Sequence, residues 1–183
     1  MRLISAQRLG AAVLVTVFLL ILWPARAETP SASFNLTSSA FQNGSAIPER
    51  YTCSGLNRSP ALAWKGAPEA TRSFALIVSD PDAPSGTFIH WVLYNIASNV
   101  EQLPEAAATS ASPGGAEQGL NGRGELGYTG PCPPPGRVHH YHFRLYALDK
   151  TVELKPGATA DQLETVLKEH VLGVAELVGT FKR

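Results

Sequence analysis

Residues 73–96 read SFALIVSDPDAPSGTFIHWVLYNI, and this stretch decides the fold of the chain. The segments SFALIVS (73–79) and FIHWVLYNI (88–96) are rich in β-branched and aromatic residues, which favour strands over helices. Pro81 and Pro84 lie between them, and proline ends a strand ladder because it lacks a backbone N–H. The stretch therefore predicts two strands separated by a polar turn.

Further strand-like segments extend this pattern in both directions. HHYHFRLYAL at 139–148 is a strong strand candidate, and shorter apolar segments occur at 34–36, 61–64 and 175–181. Glycine and proline separate these segments, and residues 98–138 form a long Gly/Pro-rich loop with little periodicity. An alternating β–α–β rhythm is missing, which argues against a parallel doubly wound sheet. The sequence predicts a mainly β protein with a Greek-key β-sandwich.

One amphipathic helix is predicted before the last strand. Thr159 follows a Pro-Gly pair and is a typical N-cap residue. Residues at helical spacing then share one face, namely Leu163, Val166, Leu167 and His170. The pattern predicts a C-terminal α-helix that ends at Gly173.

Residues 1–27 have the pattern of a cleavable export signal. Arg2 and Arg8 form a positive region, residues 9–23 are apolar and uncharged, and Ala-Arg-Ala at 25–27 supplies the small residues that signal peptidase recognises. The alternative is an uncleaved membrane anchor. That alternative is disfavoured because the apolar run is shorter than the ~20 residues that span a bilayer.

Cleavage before Glu28 leaves residues 28–183 as a single domain that is periplasmic or secreted. The removed segment carries three basic residues and no acidic residue, so the domain has twelve Lys and Arg against fifteen Asp and Glu. A slightly acidic domain argues against nucleic acid as a partner. Membrane contact is expected to be transient, if it occurs.

Two cysteines, Cys53 and Cys132, lie in the predicted mature domain. An even, small number of cysteines in an exported chain favours one disulfide bond. The alternative is a pair of buried thiols inherited from a cytosolic relative. Metal binding by this pair is not expected, because the chain has no C-x-x-C spacing.

Two carboxylates follow the first of the central strands. Strand alternation places Asp80 on the same side as Phe74, Leu76 and Val78, at the rim of a buried face. With Asp82 so near, an inward carboxylate needs hydrogen-bond donors to remain ionised. Taken alone, the DPDAP segment also fits an ordinary turn, where Asp and Pro are common.

Histidines on two strands are further candidates. His90 opens the second central strand and is predicted to share a side with Val92, Tyr94 and Ile96, although a lone strand histidine is more often a satisfied core residue. In the strand at 139–148, His139 and Tyr141 point inward. The outward face carries His140, His142, Arg144 and Tyr146.

Neither a metal site nor a catalytic centre is expected. The crowded histidines of 139–142 alternate between opposite faces, so they cannot all bind one metal ion. Gly122, Gly124 and Gly127 formally match G-x-G-x-x-G, but no strand precedes them and no helix follows, so a loop is the better interpretation. No G-x-S-x-G, H-E-x-x-H or P-loop motif occurs. The sequence therefore predicts a non-enzyme without a cofactor.

Two long motifs resemble the phosphatidylethanolamine-binding protein family, in particular its bacterial Raf-kinase-inhibitor-like branch. They are SDPDAPSGTFIHWVLYNI at 79–96 and NGRGELGYTGPCPPPGRVHHYHFRLYALD at 121–149. TCSGLNRSPALAW at 52–64 and HVLGVAELVGTFKR at 170–183 also look like that branch. The resemblance implies a β-sandwich with a C-terminal helix and a small surface pocket for phosphate-like anions.

The resemblance also implies which residues line that pocket, drawn from the DPDAP motif, the next strand, the GPCPP loop and the HRY motif. In this sequence they are Asp80, Asp82, His90, Gly130, Cys132, Pro134, His139 and Tyr141. It further implies a cis peptide bond between Ala83 and Pro84. The chain departs from the family at His140, which stands where the HRY motif has arginine, so a contact made by that arginine is in doubt.

Three functions compete at this point. The first is an exported binding protein for a small anionic or phosphorylated ligand, such as phosphate or a phospholipid headgroup. The second is a protein-interaction role such as peptidase inhibition, and the third is a weak hydrolase, which lacks an identified nucleophile. A homodimer is compatible with the sequence.

Overall fold

The two strands predicted within residues 73–96 lie side by side in the larger of two antiparallel sheets. The structure, a computed structural model, describes residues 33–109 and 115–183. Its strands are β1 (Asn35–Thr37), β2 (Leu62–Lys65), β3 (Ser73–Asp80), β4 (Phe88–Ala97), β5 (Gln102–Leu103), β6 (Glu117–Gln118), β7 (His139–Leu148) and β8 (Val171–Phe181). Its helical elements are α1 (Ala160–Leu167) and two 3₁₀ turns, Glu49–Tyr51 and Ala107–Thr109.

The strand order confirms the mainly β prediction with two sheets. The larger sheet has the order β6-β4-β3-β7-β8, and the smaller sheet has the order β1-β2-β5. All of these pairs are antiparallel. The predicted loop at 98–138 contains β5, one 3₁₀ turn and β6 in its described part. Greek-key connectivity remains a prediction.

Strand β3 is buried along its whole length, which explains its continuous apolar sequence. On one face, Phe74 and Val78 belong to the core that also contains Trp64 of the smaller sheet. On the other face, Ile77 belongs to a second cluster that includes Leu163 of α1. The larger sheet is therefore the middle layer of three, with the smaller sheet on one side and the helix on the other.

The helix begins as predicted and ends earlier than predicted. Thr159 is the N-cap, and its side chain and that of Gln162 form a reciprocal capping box. The helix ends at Leu167, not at Gly173. The chain enters β8 at Val171, because ladder pairing with β7 satisfies the backbone there and the β-branched residues of this segment favour a strand.

An extra residue interrupts the pairing of β3 with β4. Val78 faces Trp91, whereas the next residue, Ser79, faces Ile89. His90 therefore has no partner of its own in this ladder. This is the arrangement of a β-bulge, which turns side chains away from their regular alternation.

The bulge overturns the predicted orientation of His90. The His90 ring lies edge-on to Tyr141, whose side chain belongs to the core between the sheets. Val92 and Tyr94 belong to the opposite cluster, beneath α1. Ile96 returns to the first cluster after a second irregularity in the ladder. The simple period of two fails here because each extra residue shifts the alternation by one position.

The predicted signal at 1–27 lies outside the described residues. Residues 31–183 form one compact unit by their contacts. Within 33–109 and 115–183, no helix combines the length and the apolar character that a membrane span requires.

Candidate functional site

A cleft of about 540 Å³ lies where β3 ends and where β4 and β7 begin. Its walls come from the β3–β4 turn, the first residues of β4, the turn at 122–123, the loop at 130–134 and the start of β7. Six of the residues implied by the family resemblance line it: Asp80, His90, Gly130, Cys132, Pro134 and His139. Strand ends of one sheet and two distant loops thus converge on one cavity.

A buried carboxylate–imidazole pair lies at the cleft. Asp80 Oδ2 is 2.8 Å from His139 Nδ1, and the two residues are only 3% and 1% exposed. The other carboxylate oxygen, Oδ1, accepts the backbone N–H of Asp82 at 2.9 Å. Because Asp80 accepts the Nδ1 proton, it fixes the orientation of the His139 ring and leaves Nε2 for other partners.

The second imidazole, His90, is held by a main-chain carbonyl instead of a carboxylate. Its Nδ1 lies 2.7 Å from the carbonyl oxygen of Thr129, and a carbonyl can only accept, so Nδ1 carries the proton. Burial lowers the pKa of His90 to about 4, which keeps the ring neutral near neutral pH. Its Nε2 is then an unprotonated acceptor, and it is buried without a hydrogen-bond partner in the described structure.

Two residues implied by the resemblance lie outside the cleft lining, and Asp82 is the first. Its Oδ2 accepts the backbone N–H of His140 at 2.9 Å and contacts His140 Nδ1 at 2.8 Å. Hydrogen bonds from the His140 side chain and backbone lower the pKa of the Asp82 carboxyl. His140 thus supplies, from the position of the family's arginine, a contact that joins the turn to β7.

Tyr141 is the second residue outside the lining. It is fully buried behind the cleft, where its ring meets the edge of His90 with centroids 5.1 Å apart. Burial raises the pKa of its phenol well above the ordinary value, so the hydroxyl stays protonated. Tyr141 supports the His90 ring, and a direct ligand contact remains a prediction for it.

The β3–β4 turn corrects the predicted cis peptide. No cis bond occurs among the described residues, so the peptide between Ala83 and Pro84 is trans. The chain reverses by other means: Asp80 accepts the Asp82 N–H, and Ala83 O accepts the N–H of Gly86, whose φ is 99°. Glycine tolerates this left-handed conformation without steric cost, so the trans isomer, which is preferred for X–Pro bonds, fits the turn.

The loop at 130–134 is tied to the segment that precedes β2. Cys53 and Cys132 form the predicted disulfide bond, and the Cys53 N–H donates to Pro131 O. The Gly130 N–H donates to Asn57 Oδ1 at 2.7 Å. A Cβ on Gly130 would lie 2.5 Å from a backbone oxygen, that of Tyr51, so only glycine fits this contact. Cys132 is at once a structural residue and part of the cleft wall.

Arg123 is a cleft residue that the sequence did not reveal. It lies in a tight turn in which Asn121 Oδ1 accepts the backbone N–H groups of Arg123 and Glu125. The turn belongs to the glycine-rich stretch, and the structure confirms that this stretch is a loop. The positive charge of Arg123 lowers the pKa of His90, in addition to the larger effect of burial. Arg123 brings a guanidinium group to the cleft, and guanidinium groups pair well with carboxylate and phosphate groups.

Thr129 and Asn57 are also functional supports that the sequence did not single out. Thr129 acts through its main-chain carbonyl, which carries no residue-specific signal. Asn57 acts through its side chain, and its positive φ of 53° is one that asparagine tolerates. In the sequence, Asn57 was indicated only by its place in the Leu-Asn-Arg-Ser segment of residues 52–64, which resemble the family.

The described residues contain no group of three or more His, Cys, Asp or Glu side chains that could hold a metal ion. The cleft offers instead one guanidinium, two imidazoles with distinct hydrogen-bonding roles and a buried carboxylate. Aromatic and proline side chains, among them Phe88, Pro133 and Pro134, complete its walls. A few polar side chains within mainly apolar walls are the usual composition of a ligand-binding site.

Comparisons with known proteins show which family the chain belongs to. The family model described as phosphatidylethanolamine-binding protein matches residues 37–182. A relative from Methanothermobacter thermautotrophicus is 48% identical over 150 residues, covering 81% of this chain and 99% of its own length. A Mycobacterium tuberculosis protein named as the lipoprotein LppC is 38% identical, covering 87% of this chain and 76% of its own length.

A solved structure gives the same result for the fold. The crystal structure of Escherichia coli YbcL, described as a member of the mammalian PEBP family, aligns with a TM-score of 0.78 at 34% identity. The alignment covers 83% of this chain and 99% of the YbcL chain.

Proposed function

The chain belongs to the phosphatidylethanolamine-binding protein family, and from this premise we propose that it is an exported binding protein whose cleft holds a small phosphate-type oxyanion. The oxyanion is either free in solution or part of a larger phosphorylated molecule. Binding, orientation and release of this group, without a cofactor, are the proposed activity.

The buried Asp80–His139 pair is the single observation that carries the proposal. A buried carboxylate is costly unless donors satisfy it, and here the donors are the His139 ring and the Asp82 backbone. The pair fixes the orientation of the His139 ring, so Nε2 is the ring atom that can meet a ligand. Arg123 adds a cationic donor on the cleft wall.

The apolar part of the lining supports the same role. Phe88 and Pro134 add apolar surface to the lining, and charge-assisted hydrogen bonds are stronger where less water competes for the polar groups. Because His139 is only 1% exposed, a small anion gains more from its ring than from a histidine on an open surface.

Export is part of the proposal and is supported by three observations. The Cys53–Cys132 disulfide suits an oxidising compartment. Residues 1–27 have the pattern of an export signal. One relative carries a lipoprotein name.

Calorimetric titration with inorganic phosphate and with phosphoethanolamine tests the binding role. We expect saturable binding to the wild-type domain, and a loss of about 10- to 100-fold in affinity in His139→Gln, because one charge-assisted hydrogen bond is worth about 1.5–3 kcal/mol. His142→Gln is the matched control, since His142 lies on the same strand but faces outward toward Glu176.

Absence of binding at millimolar phosphate, or equal losses in both variants, would contradict the proposal. ³¹P spectra of the same samples separate binding from hydrolysis, because a hydrolase would release inorganic phosphate from phosphoethanolamine. The protein-interaction role remains a separate prediction, and it requires a protein partner whose binding is unaffected by His139→Gln.

A further inference from the structure

The two imidazoles of the cleft are both held through Nδ1, by different acceptors. His139 donates from Nδ1 to the Asp80 carboxylate. His90 donates from Nδ1 to Thr129 O, which leaves its Nε2 with a lone pair. The His90 end of the site therefore needs a hydrogen-bond donor.

The His90 acceptor is built into the fold. The residue is 3% exposed, and its ring makes steeply tilted contacts with the rings of Phe88 and Tyr141, with centroid distances of 4.9 and 5.1 Å. The β-bulge in β4 turns the side chain toward the cleft that it lines. No hydrogen-bond partner reaches Nε2 in the described structure, although the atom is buried.

A buried acceptor without a donor is energetically costly, and nearby groups decide which donor can satisfy it. The charged and titratable groups around His90 are Asp80, His139, Arg123 and Tyr141. None of them is hydrogen-bonded to Nε2. Because His90 lines the cleft, an occupant that carries a donor can satisfy Nε2.

We infer that the cleft selects oxyanions that retain an acidic proton, such as a singly protonated phosphomonoester or phosphonate, over fully ionised oxyanions such as sulfate esters. The inference rests on the proposed function and specifies its ligand class. The P–OH group donates to His90 Nε2, while the anionic oxygens accept from His139 and Arg123. A sulfate monoester instead places an oxygen lone pair against the lone pair of Nε2.

Methyl phosphate and methyl sulfate form the test pair, because at about pH 5.5 both carry one negative charge and have nearly the same shape. They differ in the central atom and in one proton, so only methyl phosphate has a hydroxyl group that can donate. His90 is still neutral at this pH, because burial lowers its pKa to about 4. We expect wild-type protein to bind methyl phosphate at least about 10-fold more tightly than methyl sulfate, because a site built to accept a hydrogen bond rejects the analogue without the donor.

His90→Asn is the informative variant. The Asn amide nitrogen can take the place of Nδ1 and donate to Thr129 O, while the acceptor at Nε2 is removed. We expect the preference for methyl phosphate to fall to within about 2-fold in this variant. His142→Asn, on the outward face of β7, should keep the wild-type preference.

The outcomes separate this inference from the proposed function. Equal affinities of wild-type protein for the two esters would overturn the inference and leave the oxyanion site intact. Binding of neither ester at millimolar concentration would overturn both. If His90→Asn fails to fold, the wild-type comparison alone still decides, since it requires no variant.

Discussion

His90 shows how one extra residue in a strand can turn a side chain into a cleft. The bulge opposite Val78 and Ser79 moves this side chain from the helix-covered face to the cleft, where Thr129 fixes its tautomer. Bulges occur often beside functional sites because they re-aim single side chains in this way. The strand itself was predictable from its composition, but the bulge was not, because it depends on the register with a partner strand.

The neutral state of His90 predicts a pH-dependent stability. The folded-state pKa is about 4, below the unfolded value of about 6.5, so the unfolded chain binds more protons between these values. Stability therefore rises with pH through this range and is lost as the pH falls from about 6.5 to 4. Between pH 7 and pH 4, the free energy of unfolding of the wild type should fall by about 3 kcal/mol more than that of His90→Asn. Chemical denaturation at the two pH values measures this difference.

The His142→Gln variant keeps His90 and serves as the control for this comparison. Between pH 7 and pH 4, this variant should lose as much stability as the wild type, apart from the small effect of removing the exposed contact between His142 and Glu176. An identical pH dependence in wild type and His90→Asn would show that His90 is not held neutral by the fold.

At the scale of elements, the cleft depends on loops that other loops hold in place. The loop at 130–134 is anchored by the disulfide and by the Gly130–Asn57 hydrogen bond, and the β3–β4 turn is anchored by Asp80 and His140. These anchors join positions that are far apart in sequence. Motif spacing could therefore suggest the pocket residues, but not the contacts that support them.

Gly130→Ala tests whether the loop at 130–134 shapes the cleft. The new Cβ would lie within 3 Å of Tyr51 O, Asn57 Oδ1 and Thr52 Cα, so the loop must move away from its support. We expect a loss of about 1–3 kcal/mol in the free energy of unfolding and weaker phosphate binding at a temperature where the variant is folded. Denaturation and calorimetry measure the two effects.

Gly44→Ala is the control for that loss. Gly44 also has a positive φ, of 77°, but a Cβ there meets nothing within 4 Å, and the residue lies beside β8 and is not part of the cleft lining. It should lose about 1 kcal/mol of stability and bind phosphate as wild type does. If Gly130→Ala binds phosphate as tightly as Gly44→Ala, the loop does not shape the site.

The helix shows which element boundaries the sequence could predict. Its start was predictable because Thr159 and Gln162 form a local capping box. Its end at Leu167 was not, because the following residues pair with β7, a partner distant in sequence. In β7, by contrast, the pairing register has no shift before Leu148. Buried and less buried residues therefore alternate along this strand as predicted.

At the scale of the whole molecule, three layers bring one strand end and two loops to the same place. The larger sheet is covered on both faces, which leaves the strand ends and their loops as the positions for a polar site. The disulfide closes a loop across a sequence separation of 79 residues and joins the segment before β2 to the cleft wall. The predicted family and the two-sheet fold are confirmed.

Imidazole ¹⁵N NMR during titration with inorganic phosphate tests the central claim that His90 and His139 act on one ligand. The chain has five histidines, so His142 and His170, which contact Glu176 and Asp149 at the surface, serve as internal references. The account predicts saturable shifts of the His90 and His139 nitrogens with one common dissociation constant, and no shift of the two references. Unchanged His90 and His139 signals at millimolar phosphate, or equal shifts in all five rings, would contradict it.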